Sequence, residues 1–124
     1  MANDKKTVGI TKANATALAE LVTAGRFASE LDAAKFAMAY AVKFGITRGN
    51  TEGAETKWNV GSIDPDGSVR SLVEALCPEA SEPYRLAEHL MNEGIKMLSA
   101  QLGRGADLYD VMFPVGEVVP RRGA

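Results

Sequence analysis

The stretch GRFASELDAAKFAMAY, residues 25–40, decides how the rest of the chain must fold. Ser29 is a favoured N-cap residue, and Asp32 three positions later completes an acidic capping box, so the pattern predicts the start of a helix. Gly45 predicts its end. Between 30 and 44 the apolar residues are spread around the helix axis instead of lining one face. A helix of this composition must be covered on nearly all sides.

The sequence offers two ways of covering this helix. Either the helices of the C-terminal half pack around it, or a second copy of the chain does. The segment before it is too short to supply enough apolar surface of its own. Small side chains that would permit close helix–helix approach in both cases are Ala33, Ala34, Ala37 and Ala41.

The residues before this helix predict a strand and a first helix. In KKTVGIT, Val8 and Ile10 alternate with Thr7 and Gly9, which is the period of a strand with one apolar side. Residues 12–24 have leucines and a valine at helical spacing, after a threonine that can act as N-cap and before a glycine. The predicted order is strand, helix, helix.

This order, with GRFAS between the two helices, resembles the ribbon-helix-helix family of Arc- and MetJ-like repressors over about residues 5–45. The resemblance implies that strands of two chains pair into an antiparallel ribbon that lies in the DNA major groove. It also implies that the second helices cross in the core of a homodimer. We therefore expect a mainly α-helical, dimeric protein with a short N-terminal strand, two helices and a helical C-terminal extension.

The resemblance also assigns roles to individual residues. The outward row that would read base edges comprises Lys5, Thr7 and Gly9. The amides that would bind a phosphate at the start of the second helix belong to Ser29, Glu30 and Leu31. The implied dimer core contains Val8, Ile10, Phe27, Ala34, Ala37 and Met38. Two positions depart from the family pattern, because Glu30 is acidic where a basic or hydroxyl residue is usual and Gly9 has no side chain with which to read a base.

The C-terminal half predicts a linker followed by helices. Residues 49–67 are rich in glycine and polar residues and are predicted to be a linker with one short strand around 58–60. Residues 68–124 are predicted to be a helical region, in which 84–102 carry apolar residues at steps of three and four. Residues 1–48 are then the ribbon-helix-helix-like region.

Composition and charge restrict the compartment and the partners. The net charge of −2 argues against a general nucleic-acid binder, but residues 1–48 hold seven Lys/Arg against four Asp/Glu, and residues 49–124 hold seven against twelve. A polyanion should therefore prefer the first half. Cys77 is the single cysteine, and no apolar run approaches ~18 residues, so the sequence predicts a cytoplasmic protein without a membrane span.

Candidate catalytic and metal-binding residues are few. Asp64 and Asp66 lie in DPDGS as in a calcium loop, but Val73 stands where the bidentate acid would be needed, so we interpret the segment as a turn and helix cap. His89 has no thiol at metal-ligand spacing, and Cys77 is expected to be a small buried hydrophobe. We expect no enzyme, no metal and no cofactor.

Two functions follow from these observations. The first is a transcriptional regulator that binds duplex DNA as a homodimer or a higher even oligomer. The alternative is a non-enzymatic interaction or assembly subunit, which would use the same dimer core without DNA and contact another protein through its C-terminal helices.

Overall fold

The computed structural model describes residues 4–25, 27–46 and 51–103. The remaining part of the predicted C-terminal region lies outside these residues. The elements in chain order are β1 (Thr7–Ile10), α1 (Lys12–Gly25), α2 (Glu30–Lys43), β2 (Glu55–Asn59), α3 (Val60–Ile63), α4 (Ser68–Leu76) and α5 (Pro83–Gly103). The prediction of a mainly helical protein that begins with a short strand and two helices is confirmed.

Helix α2 has the terminal residues that its sequence predicts. The Ser29 hydroxyl accepts a hydrogen bond of 3.1 Å from the Asp32 backbone N–H, as in a capping box. Lys43 lies in the last turn, where a cation interacts favourably with the helix dipole. Gly45 then adopts a φ of 73°, a left-handed conformation that favours glycine and ends the helix.

The apolar faces of α2 are covered chiefly by α5 of the same chain. Gly94 of α5 lies so close to α2 that a Cβ atom at this position would overlap the Ala37 carbonyl group. The structure therefore shows the first of the two ways of covering α2, in which a helix of the C-terminal half packs against it. The residues of α2 that become buried are Ala33, Ala34, Ala37, Met38, Tyr40 and Ala41.

Strand β1 pairs with β2 of its own chain, in the antiparallel direction. Thr7 lies opposite Asn59 and Gly9 opposite Thr56, with a register shift between these two pairs. The segment 49–67, predicted as a linker with one short strand around 58–60, contains β2 and α3. Within the single chain β1 pairs with β2, and the pairing with β1 of a second chain that the resemblance implies stays a prediction.

One core unites both halves of the chain. Val8 and Ile10 of β1 are 0% and 3% exposed, and they pack with buried residues of α1, α2, α4 and α5. Phe27 is partly buried, with its ring centroid 5.4 Å from that of Phe36. The residues implied for the dimer core thus lie in a core that a single chain forms. No helix within 4–25, 27–46 and 51–103 is long and apolar enough to span a membrane.

Substitution of Gly94 tests the close contact between α2 and α5. Gly94→Ala should lower the free energy of unfolding by roughly 1–3 kcal/mol, because the added methyl group forces two packed helices apart. Gly61→Ala is the matched control, since a Cβ atom there meets nothing within 4 Å. Urea denaturation of both variants measures the difference, and equal stabilities would contradict the contact.

Candidate functional site

The edge of β1 that faces away from β2 is occupied by side chains of α5. The Gly9 N–H donates a hydrogen bond of 2.7 Å to Glu88 Oε2. Asn92 Nδ2 donates to the Gly9 carbonyl oxygen at 3.0 Å, and Asn92 Oδ1 accepts from the Thr11 N–H at 3.0 Å. Two side chains one helical turn apart therefore satisfy the backbone groups that a third strand would otherwise pair with.

These two side chains are almost completely buried. Glu88 is 2% exposed and Asn92 is 1% exposed. A buried carboxylate is unfavourable unless it is paired and hydrogen-bonded, and Lys5 Nζ lies 3.1 Å from Glu88 Oε2. Asn14 Nδ2 donates a further hydrogen bond of 3.0 Å to Asn92 Oδ1. The cluster is thus a closed polar network between β1, α1 and α5.

The predicted base-reading row is drawn into this network. Lys5 pairs with Glu88, and Gly9 is buried, while Thr7 is half-buried. A Cβ atom on Gly9 would lie 2.9 Å from the Glu55 carbonyl oxygen, so the close approach of β2 requires glycine here. Within the single chain, the packing of β2 and α5 covers the centre of this row, and its role in base reading stays a prediction.

The predicted phosphate-binding amides lie at the N-terminus of α2, beside an ion pair. Lys57 Nζ of β2 is 2.6 Å from Glu30 Oε1, and Ser29 caps the helix through its hydroxyl group. The amide of Leu31 lies in the same first turn. A phosphate at this point would compete with the Glu30 carboxylate for both Lys57 and the positive end of the helix dipole.

A second buried carboxylate, Asp64, joins α4 to α5. Asp64 Oδ1 accepts a hydrogen bond of 2.8 Å from the Val69 N–H. Asp64 Oδ2 accepts from the Arg70 N–H at 3.0 Å and from the Tyr84 hydroxyl at 2.6 Å. The interpretation of DPDGS as a turn and helix cap is confirmed, since both carboxylate oxygens bind amides in the first turn of α4.

The environment of the Asp64–Tyr84 pair shifts the pKa values of both side chains. Burial opposes the charged form of Asp64, but the hydrogen bonds from Tyr84, Val69 and Arg70 outweigh it and lower the pKa of this carboxyl below its ordinary value. Burial and the hydrogen bond to Asp64 raise the pKa of Tyr84 to about 12. The fold therefore favours an ionised aspartate beside a neutral phenol.

Helix α4 carries more apolar surface than the core covers. Val69 and Val73 are 7% and 2% exposed, whereas Leu72 and Leu76 are 45% and 49% exposed. Residues at these spacings lie on one side of a helix. The apolar side of α4 is therefore covered along one flank and open to solvent along the other.

An open groove of about 340 Å³ lies where α4 ends and α5 begins, and Cys77, Arg85 and His89 are among its lining residues. Cys77 is half-buried, which is less than its expected burial. Arg85 is paired with Glu82 at 2.7 Å. Within the part of the chain that the structure describes, no three His, Cys, Asp or Glu side chains are grouped as a metal site would need.

Comparison with protein-family models, with curated proteins and with solved structures gave no match. The ribbon-helix-helix resemblance therefore stays a prediction.

The sequence did not single out Glu88 and Asn92, although a signal exists. They are four residues apart, and each directly follows a residue of the apolar stripe of α5, namely Ala87 and Met91. Both polar side chains therefore lie on the same side of the helix, next to its apolar face.

The pH dependence of stability tests the Asp64–Tyr84 pair. The Asp64 contribution is present above the ordinary carboxyl pKa and is lost as pH falls through the lowered value. The Tyr84 contribution is present below the ordinary phenol pKa of about 10 and is lost as pH rises to about 12. Tyr84→Phe should remove the Tyr84 part of the alkaline loss and shift the acid loss to higher pH, as measured by urea unfolding across both ranges. An unchanged alkaline loss in the variant would contradict this assignment.

Proposed function

We propose that this chain is a non-enzymatic interaction module that binds a segment of a partner protein through α4. The observation that carries the proposal is the exposure of Leu72 and Leu76 beside the buried Val69 and Val73. Large apolar residues that adjoin one another at the surface mark interaction sites more often than isolated ones do. The buried carboxylates Glu88 and Asp64 are occupied by hydrogen bonds that hold the fold, which supports a non-enzymatic role.

A partner segment suits this surface better than a second copy. Helix α4 has nine residues, so its exposed flank is only about 13 Å long. Stable complexes of two folded proteins bury about 800 Å² on each partner, which is more than a short helix with two half-exposed leucines offers. An amphipathic segment with apolar residues one helical turn apart matches the spacing of Leu72 and Leu76.

The double variant Leu72→Gln, Leu76→Gln tests this surface. It should weaken partner binding at least tenfold, because buried apolar anchors each contribute more than about 1 kcal/mol at interfaces. Ser71→Gln, on the opposite side of α4, is the matched control and should bind as the parent does. The partner is captured with the intact protein, identified, purified and titrated by calorimetry against each variant. Equal affinities of the double variant and the parent would contradict the proposal.

Duplex-DNA binding in transcriptional control is the second candidate. The observation that favours it is the antiparallel β1–β2 ribbon, because the DNA major groove admits a two-stranded ribbon. Thr56, Lys57 and Asn59 of β2 are exposed and can donate hydrogen bonds to bases or phosphates. In this version of the predicted function, one chain supplies both strands of the ribbon.

Two substitutions with opposite effects test the DNA proposal. Lys57→Ala should weaken binding and reduce its salt dependence by about one phosphate equivalent. Glu30→Gln should strengthen binding at low salt, because it releases Lys57 from its ion pair. Lys96→Ala is the control, since this side chain is 74% exposed on α5. The measurement is fluorescence anisotropy with duplex DNA at two salt concentrations. Failure of both the parent and Glu30→Gln to bind at about 50 mM salt would contradict the proposal.

A further inference from the structure

We propose that Glu88 and Asn92 form an edge guard, which keeps β1 from pairing with β1 of a second copy of the chain. The guard bonds to the Gly9 N–H, the Gly9 carbonyl and the Thr11 N–H. Residues two apart in a strand direct these groups toward the same side, and an antiparallel neighbour would use the same groups. Two side chains of α5 therefore stand where a neighbouring strand would lie.

The outer edge of β2, on the opposite side of the sheet, supports the proposal that Glu88 and Asn92 protect β1. An unpaired strand edge is a template for pairing with another chain, and proteins block it with charged side chains, register irregularities or a covering element. Strand β2 presents exposed Glu55 and Lys57 and has a register shift against β1. Strand β1 has no charged residue of its own, and Gly9 supplies no side chain at all. A cover from α5 is the protection that remains for this edge.

A second copy is the occupant that the guard excludes. When β1 pairs antiparallel with β1 of a second copy, a twofold axis relates the two strands, and each strand satisfies the free backbone groups of the other. The backbone of β1 is already extended and held in place by β2, so release of Glu88 and Asn92 would leave an ordered edge with unsatisfied groups. The homodimer implied by the ribbon-helix-helix resemblance would need this edge, so the guard and that dimer cannot both occupy it.

The guard is held in place by a residue of the segment that it covers. Lys5 pairs with Glu88 at 3.1 Å and precedes β1 in the chain. Glu88 thereby binds both a cation and an amide of the N-terminal segment, while Asn92 also receives a hydrogen bond from Asn14. Displacement of Glu88 and Asn92 requires the loss of all these contacts. The single chain therefore favours the arrangement in which the β1 edge is covered.

Removal of the guard tests the inference on the full chain. Glu88→Ala with Asn92→Ala should about double the average mass in sedimentation at micromolar concentration, relative to the parent. The Gly9 and Thr11 amides should be protected from hydrogen exchange independently of concentration in the parent. In the variant their protection should rise with concentration, because hydrogen bonds to a second copy then replace hydrogen bonds to water. Glu74→Ala, which removes an exposed carboxylate from α4, is the control and should match the parent.

The milder variant Asn92→Ala keeps the bond from Gly9 to Glu88 and covers the case in which the double variant does not fold. It should show concentration-dependent protection of the Thr11 amide, because Glu88 alone then covers this edge and a second strand has only this side chain to displace. Folded variants that keep the mass of the parent and exchange these amides rapidly at all concentrations would overturn the inference. Concentration-dependent protection of Gly9 and Thr11 in the parent would also overturn it. None of these readouts depends on the α4 surface.

Discussion

The contact of Ala37 in α2 with Gly94 in α5 is the constraint on which the other features depend. Helix α2 is apolar around most of its circumference, and burial of such a helix requires a neighbour that can approach it closely. Glycine in α5 removes the side chain that would keep the two backbones apart. Once α5 lies against α2, its other sides face β1, α1 and α4. A single helix thus organises the core from its centre.

Polar contacts then fix how each segment meets α5. Asp4 accepts hydrogen bonds from the Tyr84 and Arg85 amides at 2.8 and 3.0 Å, so the start of the described chain caps the first turn of α5. Glu88 and Asn92 hold β1, and Asp64 holds the start of α4 and the Tyr84 hydroxyl. Buried hydrogen bonds of this kind are specific in direction, whereas apolar packing is not. They therefore define the register of the strand and helices around one apolar core.

The packing of α5 on α2 and the polar contacts that hold β1 against α5 bear on both proposed functions. Helix α5 covers α2 and β1 within one chain, so both proposed functions rest on other surfaces. The exposed flank of α4 and the outer residues of β2 lie on different elements, and they differ in chemistry. Leu72 and Leu76 suit an apolar segment, whereas Thr56, Lys57 and Asn59 suit a polar or anionic one. The guard on β1 adds that self-association through the sheet is restrained by the fold itself.

The sequence by itself determined the elements whose signals are local. Ser29 with Asp32 and Gly45 placed the ends of α2, Val8 and Ile10 placed β1, and the apolar character of α2 showed that it must be covered. Only the tertiary structure decided what covers it, because the same alanines and glycine would serve a second copy or α5 equally well. The roles of Glu88 and Asn92 were likewise set by contacts about 80 residues away along the chain. A hydrogen bond to a distant strand leaves no local periodicity in the sequence, so such partners emerge only when the chain is folded.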